Sequence, residues 1–229
     1  MTLHRFFVEP ADVMGDRFPL PAAIERQVRA VLRLRDGDRL VLLGGDGTEA
    51  VCQLAAGDCV VEERRPSVAE PGHRLTVGQA LLKGGALEHV IQHATEVGVA
   101  AFQLMVTERC IVRELPPRRL ERLRTIAREA AEQSERGVVP DVRAPVPLVD
   151  ALTPGSVLLF ERHVGMRLGQ IKPPGQILIG PEGGFSPAEV KAAVDAGATV
   201  AGLGPRILRS ESVAVAAAAV ILSRTGDFA

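Results

Sequence analysis

Tryptophan and tyrosine are absent from these 229 residues, and seven phenylalanines supply the whole 3% aromatic content. That absence removes an intrinsic optical probe and by itself says nothing of activity. Cysteine is scarce: Cys52, Cys59 and Cys110 are odd in number and lack C-x-x-C spacing. This pattern argues against structural zinc and points to a reducing cytoplasm. No apolar run reaches the roughly 18 residues that a membrane span needs, so no membrane partner is expected. The amino terminus has no apolar stretch after its basic residues, so no signal peptide is expected either. Lysine is rarer than arginine, three among 27 basic residues. None lies in a G-K-S/T phosphate loop, and no G-x-G-x-x-G opens a βαβ unit, which weakens a phosphate-loop hydrolase.

What is present is a 46% hydrophobic fraction, ample for a packed core, in a chain long enough for one large domain or two small ones. The formal net charge of −1 does not advertise nucleic-acid binding. Its distribution is uneven: residues 1–72 carry −3, residues 73–143 carry +2, and the remainder balances. Six arginines fall between Arg113 and Arg128, where a phosphate backbone would bind. The same stretch also reads as a solvated helix, with Glu121, Glu129 and Glu132 available as partners.

Residues 1–70 read as a small β-rich unit. Arg39 to Leu43, Glu49 to Leu54 and Cys59 to Glu63 are short apolar or alternating runs, separated by Gly44-Gly45-Asp46-Gly47 and Ala55-Ala56-Gly57-Asp58. Ala22 to Leu34 has helical spacing. Arg64 to Gly72, with two prolines and a glycine, suits an exposed linker. From residue 73 onward strands and helices alternate. Strands are expected at Leu75 to Leu81, Ala101 to Val106, Val157 to Phe160, Gln176 to Ile179 and Val200 to Leu203. Helices are expected at Ala86 to Val97, Pro117 to Ser134 and Val213 to Leu222. The alternation predicts an α/β domain over residues 73–229 with a mostly parallel sheet.

Two loops in this second half stand out. Ile177-Leu178-Ile179-Gly180-Pro181-Glu182-Gly183-Gly184-Phe185 is a buried strand followed by a glycine turn. Ser186 and Glu189 then make a capping box around Pro187. Alone, this is also compatible with an ordinary strand-to-helix turn. The second loop, Leu203-Gly204-Pro205-Arg206-Ile207-Leu208-Arg209-Ser210-Glu211, follows the next strand and carries two arginines and an acid. Open α/β sheets hold ligands at the carboxyl ends of their strands. Both loops are therefore expected to face one crevice, suited to a neutral or zwitterionic ligand held by backbone amides and apolar contacts. Leu159-Phe160-Glu161 ends a third strand beside them.

The pair GPEGGF and LGPRILR resembles the carboxyl-terminal half of the SPOUT methyltransferases, specifically the RsmE family. Arg5-Phe6-Phe7-Val8 is similar to that family's opening. Lys83 with Glu88, Ile91, Gln92 and Ala94-Thr95-Glu96-Val97-Gly98-Val99 resembles its first catalytic-domain helix. Thr107-Glu108-Arg109 and Glu129 to Arg136, closed by Val139-Pro140, follow in the family's order. The likeness spans nearly the whole chain. Two departures are His93, where family members carry lysine, and Ser210-Glu211-Ser212-Val213, where they carry Thr-Glu-Thr-Ala. A serine hydroxyl can still cap a helix or make a local hydrogen bond.

The resemblance implies a PUA-like β-barrel over residues 1–70 that grips RNA, and a SPOUT domain over 73–229 with a deep trefoil knot and a homodimer interface. It implies methylation of uridine N3 in 16S ribosomal RNA, as free RNA or small ribosomal subunit, with S-adenosylmethionine as methyl donor. The methyl-donor pocket is then expected from Phe160, Ile179, Gly180, Gly183, Leu203, Gly204, Ile207 and Leu208. Arg209 is the expected catalytic cation. Glu182 is either a stabiliser of the helix end or a group that orients methyl donor or base. Arg5, Arg109, Gln133, Arg136 and Arg206 are the RNA-binding candidates, and no general base can be assigned. An RNA-binding module that keeps the fold without the transfer is the competing reading. His89 and His93 fail the H-E-x-x-H pattern and lack a third ligand, so no metal is expected. Cys110 has no histidine partner and reads as a buried structural thiol.

Overall fold

The computed structural model describes residues 3–161 and 165–228. It comprises two compact units, Met1–Glu70 with Ala131–Val139, and Pro71–Ala130 with Pro140–Ala229. The first contains strands β1 (Arg5–Phe7) and β2 (Arg17–Pro19), helix α1 (Ala22–Arg26), and strands β3 (Arg39–Leu43), β4 (Thr48–Ala55) and β5 (Asp58–Pro66). A π-helical turn over Gln27–Val31 continues α1, so the helix expected to reach Leu34 ends early, with Arg33 at φ +58°. The strands form one sheet in the order β1-β3-β4-β5-β2, with β1 parallel to β3 and the other pairs antiparallel. Ala56 and Gly57, both at positive φ, make the tight turn between β4 and β5.

Alternation along the strands gives this sheet two apolar faces. Phe6, Leu40, Leu42, Cys52 and Leu54 pack with Ile24 and Val28 on one side. Phe7, Val41, Leu43 and Val51 point the other way and pack with Ala131. That second face is why Ala131–Val139 belong to this unit, although the sequence placed them in the 73–229 domain. Polar contacts hold the segment as well. The Phe7 N–H donates to Glu132 Oε1 at 2.8 Å, and Arg5 pairs with Glu135 at 2.9 Å. Arg136 donates to both carboxylate oxygens of Glu70, at 3.2 and 3.0 Å.

The second unit contains β6 (Thr76–Ala80), α2 (Ala86–Val97), β7 (Ala101–Val106), most of α3 (Pro117–Gln133), β8 (Asp141–Pro147), α4 (Leu148–Ala151), β9 (Val157–Leu159), β10 (Gln176–Ile179), α5 (Pro187–Asp195), β11 (Thr199–Ala201) and α6 (Ser210–Ser223). Its sheet runs β11-β9-β10-β6-β7-β8 with every neighbouring pair parallel. The central strands β9 and β10 are buried along their whole length, as a parallel sheet requires. Strand β8 was not foreseen, because Pro145 and Pro147 interrupt its pattern. It is tolerated as an edge strand, and a register shift opposite Gln103 and Met105 accommodates it. Helix α6 lies against α2, burying Ala214, Ala217 and Ala218. Its small side chains serve close packing within the unit. Gly98 ends α2 at φ +108°, where a Cβ would stand 2.5 Å from Pro71 Cγ. Among the described residues, no helix is long and apolar enough to cross a membrane.

Candidate active site

Chain order and spatial order reverse between β6 and β10. The chain leaves β6 toward β7 and β8, then returns to build β9, β10 and β11 on the other side. A cavity of about 970 Å3 opens at the carboxyl ends of these strands. Such a reversal leaves the loops on its two sides diverging, and the space between them is the usual ligand crevice of an open α/β sheet.

Its walls come from Lys83 and Ala86 after β6, Arg109 after β7, Leu159 to Glu161 at β9, Ile179 to Phe185 after β10, and the segment from Leu203 to Val213 after β11. The eight expected methyl-donor residues, Phe160, Ile179, Gly180, Gly183, Leu203, Gly204, Ile207 and Leu208, all line it. So do Glu182, Arg206, Arg209 and Arg109.

The β10 loop is tight because its glycines leave no room for side chains. A Cβ on Gly180 would stand 3.2 Å from the carbonyl carbon of Gly184 and from both the nitrogen and ring of Phe185, which is 1% exposed. Gly184 adopts φ +67°, and a Cβ there would meet Glu161 Oε1 at 3.0 Å. The loop then enters α5 through the expected capping box. The Glu189 N–H donates to Ser186 Oγ at 3.2 Å, and the Ser186 N–H donates to Glu189 Oε2 at 2.8 Å. Glu189 Oε1 also accepts from the Glu108 N–H at 2.7 Å, joining the turn after β7 to α5.

Two candidate side chains brace the walls. Glu182 Oε1 accepts from the Lys83 N–H at 3.1 Å, which ties the β10 loop to the end of β6. Arg109 Nη1 donates to the Gly183 carbonyl at 3.0 Å. Arg209, by contrast, has a side chain 87% exposed and only a 3.9 Å ion pair with Glu211. Arg206 is exposed in the same loop. The charged lining is therefore mixed, with Lys83, Arg109, Arg206 and Arg209 against Glu161, Glu182 and Glu211.

Arg5, Gln133 and Arg136 do not line the cavity and belong to the first unit. Arg136 is 2% exposed and committed to Glu70, so its guanidinium stabilises that unit rather than presenting a surface charge. The Arg5 side chain, 9% exposed, is held between Glu49 and Glu135. Gln133 is exposed. Cys110 is a buried free thiol whose sulfur accepts from the Thr107 N–H at 3.3 Å. His93 is exposed and bonds Glu96 at 3.1 Å.

Sequence reasoning passed over Glu161, Lys83 and the hydroxyl of Ser210 as members of the site. Ser210 is not a helix cap. The N-cap of α6 is Arg209, without a side-chain cap bond, and Ser210 Oγ instead donates to the Gly180 carbonyl at 2.6 Å.

A family model described as an RNA methyltransferase domain matches residues 69–222. The ribosomal RNA small subunit methyltransferase E of Synechocystis is 34% identical over 95% of this chain and 77% of its own length. That of Bacillus subtilis is 30% identical over 97% of both chains. The crystal structure of a ribosomal RNA small subunit methyltransferase E from Neisseria gonorrhoeae, bound to S-adenosyl methionine, superposes with a TM-score of 0.87. It is 28% identical and covers 97% of this chain and 98% of that one. The cavity at the reversal of a parallel sheet, the glycine loop of β10 and the arginine loop of β11 thus stand in a chain that belongs to the ribosomal RNA small subunit methyltransferase E family of RNA methyltransferases.

Proposed function

We propose that this chain transfers a methyl group from S-adenosylmethionine to N3 of a uridine in 16S ribosomal RNA. The observation that carries the reading is the meeting of the β9, β10 and β11 loops around one cavity of about 970 Å3. That volume is at the upper end of the roughly 300–1,000 Å3 typical of small-molecule sites. The cradle fits a bulky, mostly neutral ligand. A Cβ on Gly180 or Gly183 would stand 3.2 or 3.1 Å from its nearest neighbour, tighter than an ordinary contact, while Gly204, at φ +121°, faces open space. Ile179, Leu203, Ile207 and Leu208 offer apolar contacts, and Glu161 offers an acceptor for an ammonium or hydroxyl group.

When bound, S-adenosylmethionine supplies an electrophilic methyl group. The protein's own share is to orient that methyl group in line with N3 and to manage the N3 proton. Uracil N3 is a poor nucleophile while protonated, and the anion left by its proton needs a cation. Arg209, exposed in the cavity lining and held only by a 3.9 Å ion pair with Glu211, meets that need, and Arg206 offers a phosphate contact. Glu182 and Arg109 act as braces that hold the β10 loop.

The first unit is proposed as a PUA-like RNA-gripping domain, supported by its five-stranded mixed sheet. A trefoil knot in the second unit is supported by the parallel bridge Arg167↔Gly202 and the Leu168 N–H bond to Gly202 O at 2.9 Å, which run residues 166–168 along the exit of β11. A homodimer is supported by the half-buried Val213, Val215 and Val220 on α6. A cytoplasmic location goes with a ribosomal RNA substrate.

The test is incubation with labelled S-adenosylmethionine and unmodified small ribosomal subunits, followed by mapping of the methylated base. Label as N3-methyluridine at one position is the expected result. Label on another base overturns the substrate, and binding of S-adenosylmethionine without transfer to either 16S RNA or subunits overturns the activity.

A further inference from the structure

Gln79 is the penultimate residue of β6, a strand that lies between β10 and β7 in the sheet, and is fully buried. Its register partner on β10 is Ile179, the last residue before the Gly180 loop. Its amide nitrogen donates to the Ala80 carbonyl and to Ser210 Oγ, each at 3.1 Å. Ser210 Oγ in turn donates a hydrogen bond to the Gly180 carbonyl at 2.6 Å. Gln79 Oε1 is buried without a hydrogen-bond partner. Burying an unpaired amide oxygen costs free energy that a thioether or methyl group of similar size would not cost. On stability alone, an apolar residue would serve better in this strand. The amide's donors are the part that reaches other elements.

We infer that Gln79 is a positioning residue for the methyl-donor site, acting through Ser210 to lock the Gly180 loop against the first turn of α6. The relay joins β6 to two segments that line the cavity. Gly180 begins one wall and Ser210 stands beside Arg209 in the other. Among the described residues, no backbone–backbone hydrogen bond joins the two loops directly. A hydroxyl that accepts from Gln79 has its own proton directed to Gly180, so the amide fixes the rotor as well as the distance.

The inference rests on the methyl-donor reading of this cavity, and one set of measurements separates the two. S-adenosylmethionine binding is measured by titration calorimetry, with unliganded melting alongside. The proteins are the parent chain, Gln79→Met, Ser210→Thr, Ser210→Val and the double variant Gln79→Met/Ser210→Val. Gln79→Met and Ser210→Val should each weaken binding about tenfold, as expected for losing one buried hydrogen bond. Their double variant should bind no worse than about the weaker single one, because both changes break the same relay. Ser210→Thr, which has the bulk of valine but keeps the hydroxyl, should bind several-fold tighter than Ser210→Val. Gln79→Met should melt at or above the parent, a result that loss of a merely structural contact would not give.

Equal affinity of parent and Gln79→Met, or full additivity in the double variant, overturns the relay. A parent chain that fails to bind S-adenosylmethionine overturns the methyl-donor reading and the relay with it. If Gln79→Met does not fold, the threonine and valine pair still decides the matter, since equal affinities there overturn the inference.

Discussion

Gly180→Ala tests whether the β10 loop is as tight as its geometry demands. Gly180 does not sit at positive φ, so alanine meets no backbone penalty there. The obstacle is space. The added Cβ would lie 3.2 Å from the Gly184 carbonyl carbon, the Phe185 nitrogen and Phe185 Cδ2. Two of these atoms are backbone of the same turn, and the third belongs to a ring that is 1% exposed and cannot swing into solvent. Overpacking of this kind costs about 1–3 kcal/mol. At roughly 2–4 °C per kcal/mol for a chain of this size, the second unit should melt about 2–12 °C lower. Binding of S-adenosylmethionine should weaken about tenfold, because relief must come from moving the loop that accepts the Ser210 bond. Scanning calorimetry is the assay of choice, since the chain lacks tryptophan and tyrosine. Gly175→Ala is the control. A Cβ there would meet no atom within 4 Å, so the variant should leave melting and binding at the parent's values. Parental melting and affinity in Gly180→Ala would refute the reasoning.

Arg136→Met removes the buried guanidinium and leaves Glu70, 24% exposed, without its bidentate partner. We expect a loss of about 2–4 kcal/mol, below the usual cost of breaking a fully buried pair because solvent reaches Glu70. Hydrogen exchange in residues 131–139 should accelerate, whereas a direct RNA contact would weaken RNA binding and leave exchange unchanged. The two buried thiols of the first unit predict alkaline sensitivity. Burial, with smaller Coulombic contributions, raises Cys52 from 9.0 to about 12 and Cys59 to about 11. The unfolded chain releases these protons first, so their stabilisation is complete below pH 9 and declines as pH rises toward 11–12. Melting followed from pH 8 to 11 should fall more steeply in the parent than in a Cys52→Ala/Cys59→Ala variant, and parallel curves would refute the assignment.

The parts of the fold legible in the sequence are those fixed by local chemistry. Helix α2 and strands β7 and β10 end where expected: glycine flanks α2 and β10 on both sides, and the apolar run of β7 stops at the polar Thr107-Glu108. The Ser186–Glu189 capping box is likewise a local device, and it formed as its spacing required. Strands β1 and β2, each of three residues, have no periodicity to read and exist because a longer neighbour pairs with them. The helix expected from Pro117 to Ser134 gives no sign in its own residues of what its end meets. That end is decided by Phe7, Arg5 and Glu70, far away in sequence, which is the kind of contact no window can contain.

The site divides along the same line. Its glycine loops were visible because a close approach of backbone requires glycine, whatever approaches. The division of labour among its charges was not visible. Glu182 and Arg109 spend their side chains on Lys83 and Gly183, and only the folded chain shows that Arg209 keeps its cation loosely held. Gln79 marks the boundary between the two cases. In a strand buried on both faces, an amide amid Val77, Gly78 and Ala80 contradicts the apolar pattern the sheet demands. A residue that breaks its element's rule is a residue whose reason lies elsewhere in the molecule. Here that reason is a hydroxyl 131 positions away, and the bond to it would have been as good a pointer to the site as either glycine loop.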